Sequence, residues 1–168
     1  MTDTPKLSHC ADYTRRHDRD RFLCALFAAP EKREDLFTLY AFNQEVSKTR
    51  EMVSEIMLGH IRLQWWRDTL SEIAEGKVRK HEVVEPLANL VQTGALSVDD
   101  LETVVAAREF DLEDRQPADL AELDRYIDQT SGQMAVLAAR ILGVTDEAGQ
   151  QAVRLAGNAY GLVGILRA

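Results

Sequence analysis

The stretch YAFNQEVSKTRE, residues 40–51, carries acids at Glu45 and Glu51 with Ser47 and Lys48 between them. Carboxylates a helical turn apart could hold a divalent cation, because both would face one cavity. A lysine ammonium in the same wall would repel that cation, although it could contact a phosphate directly. Glu51 and Glu55, at i,i+4, could meet one ion only on a shared helix face. Ser54 reads as the N-cap of a following helix, which separates the two glutamates.

Two more places could do chemistry. In DRYIDQTSGQM, Tyr126 lies beside an apolar stripe and Gly132 sits in mid-helix. An interior glycine costs about 1 kcal/mol relative to alanine, so it marks close approach by a neighbour or a ligand. Asp124 and Asp128 flank that stripe, as an ordinary charged edge or as a metal pair. In GNAYGLVGILRA, Gly157, Gly161 and Gly164 share one helix face. Together they forgo about 2–3 kcal/mol of helix propensity. Either a neighbouring helix or a long apolar ligand would fill the groove they make. In VSEIMLGHIRLQWWRDTL, Trp65 and Trp66 read as core, with Arg62 stacked on Trp66 at i,i+4.

The elements that must carry these residues are helices. With 4 prolines, 9 glycines and no alternating strand pattern, the fold class is all-α. The spacing predicts helices over about residues 11–28, 31–52, 55–75, 82–92 and 99–110. Another begins after Pro117 with Leu120, Leu123, Ile127, Thr130, Met134, Leu137 and Ile141 on one stripe, and Gly143 stops it. Short joints such as EGKVRKH and TGALSVDD favour antiparallel neighbours in a bundle. Residues 1–168 form one domain, with 1–10 expected to be disordered. The last helix, from about Asp146, is still periodic when the chain stops at Ala168 without a cap, which predicts a C-terminally truncated domain.

Composition excludes some partners. A chain of 168 residues, 45% hydrophobic, can bury a core, and its net charge of −8 argues against nucleic acid. Arg15, Arg16, Arg19 and Arg21 are interspersed with Asp12, Asp18 and Asp20, and read as a solvated helix face. Cys10 and Cys24, about 21 Å apart along one predicted helix, cannot pair, since bridged Cα atoms lie within about 7 Å. Both thiols are expected in the core of a protein from a reducing cytoplasm. No apolar run reaches the roughly 18 residues of a transmembrane segment.

Taken together, LYAF at 39–42, YIDQTSG at 126–132 and the GNAYGLVGILRA ending resemble the squalene/phytoene synthase family, head-to-head prenyl transferases of the isoprenoid synthase fold. The resemblance runs from about Asp18 to Ala168, the first part of the family domain. In catalytic members two Asp-rich helices hold Mg²⁺ ions that bridge prenyl diphosphates. On this chain the first acidic motif falls on Ser47, Lys48 and Glu51. The Asp of the second falls on Ala168, and its upstream polar positions fall on Gly161 and Gly164. No serine lies between Ser8 and Ser47, where active members place hydroxyls for diphosphate. The resemblance implies Tyr126 as the catalytic tyrosine if activity survives. It implies Tyr40, Lys48, Arg62, Asp111, Gly161, Gly164 and Arg167 as substrate contacts.

The departures are patterned. AFN followed by an acid, the run from Val53 to Trp66, REFDLED and the LRA ending resemble a catalytically degenerate branch of that family, typified by a mitochondrial complex I assembly factor. This implies a synthase scaffold without a cofactor, partnering membrane-associated respiratory subunits, its cavity left for a prenyl diphosphate or isoprenoid lipid. The compartment would be the cytoplasm or the periphery of the inner membrane, in the matrix if eukaryotic. Lys48, with no metal to repel, would pair with Glu45 or Glu51. Two alternatives stand beside it. One is an active, Mg²⁺-dependent transferase acting on farnesyl or geranylgeranyl diphosphate, with Lys48 and arginines replacing lost acids. The other is a helical protein-interaction module.

Overall fold

A computed structural model describes residues 7–113 and 115–167, all of whose regular elements are helical. Ser8 caps α1 (His9–His17) by accepting from the Ala11 amide at 3.0 Å. Residues 8–10 of the stretch expected to be disordered are therefore ordered, and residues 1–6 lie outside the described residues. The single helix expected over 11–28 is broken at Asp18, whose non-helical backbone ends α1 while its carboxylate caps α2 (Arg19–Ala25) through the Arg21 amide. An N-capping aspartate stabilises a new start at the cost of continuity. The break leaves Cys10 buried but turns Cys24 to the surface, against the expectation that both are core.

Pro30 opens α3 (Pro30–Ser47), since a first-turn proline sacrifices no helical hydrogen bond. α3 is the central helix: Leu36, Phe37, Leu39, Ala41, Phe42 and Val46 are all buried, so its apolar residues lie all around rather than on one stripe. It packs on α1, α6 (Val84–Gln92) and α9 (Gln133–Ile141). It ends at Ser47, and a single turn, α4 (Thr49–Met52), follows. α5 (Ile56–Ala74) starts from Glu55, not from the expected Ser54 cap, and neither side chain bonds its first turn. Glu51 and Glu55 nonetheless fall on separate elements, as expected.

α5 packs against α7 (Val98–Ala107) and sends Trp66 into the core, where it is 1% exposed and meets the Phe42 ring edge-on at 5.2 Å. Arg62 does not stack on it: the cation over a tryptophan is Arg79, 5.3 Å from the Trp65 ring.

The long stripe predicted after Pro117 folds as α8 (Leu120–Ile127), a π turn over Asp128–Gly132, and α9. Across this wide turn Ile127, Thr130, Met134, Leu137 and Ile141 are buried as the stripe predicts, while Leu120, at the first position of α8, is 77% exposed. Gly143, at φ +95°, stops α9 as predicted. α10 (Glu147–Arg167) then lies back along the π turn and α9.

Gly157 and Gly161 permit that approach. A Cβ on Gly157 would sit 2.6 Å from the Ala135 Cβ and 2.8 Å from the Ser131 carbonyl oxygen. One on Gly161 would meet the Ser131 Cβ at 2.7 Å. Gly164, one turn on, has nothing within 4 Å. The glycine face thus divides: two positions seat a helix and the third borders open space.

Candidate functional site

Where α2, α3, the π turn and α10 converge they leave a cleft of about 300 Å³. Of the residues expected to carry chemistry, the fold brings Tyr126, Ser47, Gly161 and Gly164 to its wall. Asp111 and Tyr40 stand directly behind. The Tyr126 hydroxyl donates to an Asp111 carboxylate oxygen at 2.6 Å, and Arg108 donates to the Tyr126 oxygen at 2.9 Å and to Asp111 at 3.2 Å. Burial, joined by the Asp111 carboxylate and against the opposing pull of Arg108, pushes the Tyr126 phenol up to about 12. Tyr126 is therefore a neutral, fully engaged hydroxyl at physiological pH.

A second cation reaches the cleft from the α1–α2 break. Arg21 bonds Asp18 at 2.7 Å, and Gln44 donates to the same carboxylate at 3.3 Å. The Arg21 guanidinium lies 5.7 Å from the Tyr40 ring and 5.1 Å from the Tyr160 ring, tying α2 to α3 and α10 by cation–π contacts. Burial raises the Tyr40 phenol, with Arg21 pulling the other way. The solvated-face reading of the arginine run holds for Arg15 and Arg16, both paired with Asp12, but fails for Arg21. The signal was present as an aspartate three residues before an arginine, and only the helix break that turns Arg21 inward was hidden.

The wall that would have to hold a metal is arranged otherwise. Lys48 does not pair with Glu45 or Glu51; its Nζ meets His17 Nδ1 at 3.0 Å, because α3 ends there and the side chain swings toward α1. Glu45 is neutralised by Arg62, which also donates to the Glu45 carbonyl at 3.4 Å. Glu51 is exposed on α4. Among the described residues no three His, Cys, Asp or Glu side chains come together as metal ligands would. Asp128 is held by Arg154 at 2.9 Å and Asn158 at 3.1 Å, and Asp124 is exposed, so that pair behaves as a charged edge.

Arg62 lies outside the main cleft, in a neighbouring apolar one with Trp65, Trp66 and His81. Arg167 is exposed at the end of α10, and Ala168 lies outside the described residues. Sequence reasoning missed Arg21, Arg108, Asn43 and Tyr160 as cleft residues. Arg108 and Asn43 were in view, inside REFDLED and AFN, but nothing in one sequence says that α3 and α7 face the same space. The π turn was invisible too, though it is what carries Thr130 and Ser131 to the wall.

Comparison with known proteins bears on this arrangement. The chain is 31% identical over 160 residues to NADH dehydrogenase (ubiquinone) complex I, assembly factor 6, of Bos taurus and of Homo sapiens, covering 95% of this chain and 48% of each relative. It is 29% identical over 169 residues to the Drosophila melanogaster homologue of that factor, covering 95% of this chain and 49% of the relative. The chain thus spans about half the length of the curated relatives it matches. Among solved structures, a ligand-bound dehydrosqualene synthase superposes with a TM-score of 0.83 at 17% identity, over 95% of this chain and 55% of that one. That likeness establishes the fold, an antiparallel all-α bundle of the isoprenoid synthase type. A family profile described as squalene/phytoene synthase matches residues 14–168, and the chain belongs to the squalene/phytoene synthase family.

Proposed function

We propose that the chain is part of a non-catalytic assembly factor for respiratory complex I, a synthase scaffold whose cleft is kept for a prenyl lipid and not for prenyl transfer. The observation that carries this reading is the end of α3. Lys48 turns to His17 and Glu45 is already paired with Arg62, at the stretch where the family resemblance puts Ser47 and Lys48 in place of metal-binding acids. Mg²⁺ demands several oxygen ligands in near-octahedral geometry, and this donor set does not fit it. Fold alone would not choose the task. The names of the relatives from Bos taurus and Homo sapiens supply it. The place of action is the periphery of the membrane in which the complex is built, on the matrix side in a eukaryote; no described helix is long and apolar enough to cross a membrane.

The test is genetic and biochemical together. Cells lacking the full-length protein should lose assembled complex I on native gels, and re-expression of a Ser47→Ala, Lys48→Ala double variant should restore it. Normal complex I in the knockout would overturn the proposal. The active-transferase reading is favoured by one observation, the Tyr126–Asp111 pair at the cleft. It requires that Tyr126→Phe abolish prenyl turnover.

A further inference from the structure

We infer that the outward face of α2, with the end of α1 beside it, seats the protein on an anionic lipid surface. This rests on the proposal that the chain works at the periphery of a membrane, and it names the surface that does the seating.

Helix geometry sets the face. α2 buries Phe22 and Ala25 and turns Arg21 to the cleft. At about 100° per residue, Arg19 and Leu23 each lie about 160° around the helix from Arg21, on the side away from the cleft. Leu23 is 45% exposed, and Leu26 and Phe27, in the turn that follows α2, are 41% and 93% exposed. Single apolar residues on a surface are ordinary, but three within five residues, one of them a phenylalanine with its ring in water, make a patch.

Charge says what the patch meets. The break at Asp18 sets the end of α1 beside the start of α2, and Arg15, Arg16, Arg19, Phe22 and Leu23 line one hollow of about 390 Å³. Arg15 and Arg16 share the single carboxylate of Asp12, so that trio keeps one positive charge. Arg19 is exposed and stands in no ion pair among the described residues, while Asp20 is the acid on the flank of the same face. Lys48, held at His17, adds a cation at the end of α1. Glu31 and Lys32, which open α3 after Phe27, offset each other. The face is thus positive on a chain whose net charge is −8. The excess acid lies elsewhere and is repelled by anionic lipid, which orients this face toward it.

The order of the residues matches the layers of a bilayer. The arginines stand at the junction of α1 and α2, and the apolar side chains follow toward the far end of α2. Leu23 is one turn, about 6 Å, along the axis from Arg19, and Phe27 is a further turn on. Apolar faces of interfacial helices sink about 5–10 Å below the head groups, so guanidiniums can fork onto lipid phosphates while Leu23 and Phe27 enter the acyl layer. An acidic protein surface would answer the arginines without giving Phe27 an apolar phase.

The test is co-sedimentation of the full-length protein with vesicles of phosphatidylcholine alone and of phosphatidylcholine mixed with phosphatidylglycerol. Binding should be at least about tenfold stronger to the anionic vesicles and should fall as salt is raised. Phe27→Ser should weaken it by about tenfold, and the Arg15→Gln, Arg16→Gln, Arg19→Gln triple variant should lose the preference for anionic lipid. Both variants should keep the wild-type Tm, because the replaced side chains are exposed. Absence of binding, equal binding to the two kinds of vesicle, or binding that neither variant changes would overturn the inference. So would a Tm raised as much by soluble glycerol phosphate as by vesicles, which would mark a site for free phosphate. None of these results touches the assembly proposal, which is read from native gels of the knockout.

Discussion

Two substitutions on one face of α10 should have opposite signs. At Gly157 an alanine Cβ would lie 2.6 Å from the Ala135 Cβ, 2.8 Å from the Ser131 carbonyl oxygen and 3.1 Å from the Gly132 Cα. Ordinary contacts between such atoms begin near about 3.5 Å, so α10 or the π turn must move by roughly 1 Å. Two of the obstacles are backbone atoms, which cannot rotate away. Overpacking of this kind costs about 1–3 kcal/mol, against a helix-propensity gain of about 1 kcal/mol. At Gly164 the same substitution meets no described residue within 4 Å, so in the 168-residue chain it collects only the gain. Gly157→Ala should therefore be less stable than Gly164→Ala by about 2 kcal/mol, a Tm separation of about 4–8 °C for a domain of this size. Urea unfolding followed by circular dichroism measures the gap directly. Equal stabilisation by both alanines would mean that α10 does not seat its backbone against the π turn, and the account of the cleft would fail with it.

Other consequences follow from the same geometry. Trp66→Ala removes a side chain 1% exposed that packs on Phe42, and should cost about 3–5 kcal/mol in chemical denaturation. Tyr126→Phe should cost about 1 kcal/mol near neutrality, where the hydroxyl bridges Arg108 and Asp111. The folded phenol ionises near about 12, above its ordinary value of 10.0, so its contribution is complete below pH 10 and is lost as pH rises toward 12. The stability gap between wild type and Tyr126→Phe should then be constant up to pH 10 and narrow between pH 10 and 12; a gap that stays constant through that range contradicts the burial of that hydroxyl. In the native protein iodoacetamide should modify exposed Cys24 while Cys10, whose thiol burial pushes up to about 11, reacts only after unfolding, as peptide mapping would show.

Much of this arrangement was legible in the sequence, and the failures share a cause. Helix existence followed from apolar spacing, and Gly132 and Gly143 from what glycine alone can do: a Cβ on Gly132 would lie 2.1 Å from the Asn158 Oδ1. The family followed from the combination of motifs around Tyr40, Tyr126 and Gly157. What local pattern could not give was where a helix ends by one residue or widens by one. Asp18 splits a helix, and the split turns Arg21 inward and Cys24 outward. The π turn between Ile127 and Gln133 went unseen because the predicted stripe stays buried across it from Ile127 to Ile141, and only Leu120, at the start of α8, is exposed. α3 ends at Ser47, which sends Lys48 to His17 across the bundle and not to a glutamate on its own helix. Lys48 was decided by a tertiary partner, and tertiary partners have no fixed spacing along the chain. Asn43 and Arg108 show the same limit, since two residues from distant helices become one wall only in the folded bundle.

The central claim is that this cleft no longer performs metal-assisted ionisation of a prenyl diphosphate. Pyrophosphate release from farnesyl and geranylgeranyl diphosphate by the full-length protein, assayed with Mg²⁺ and with EDTA, tests it most directly. The arrangement of Ser47, Lys48, Glu45 and Glu51 predicts release no faster than the protein-free control in both conditions. Turnover that requires Mg²⁺ and disappears with EDTA would contradict it.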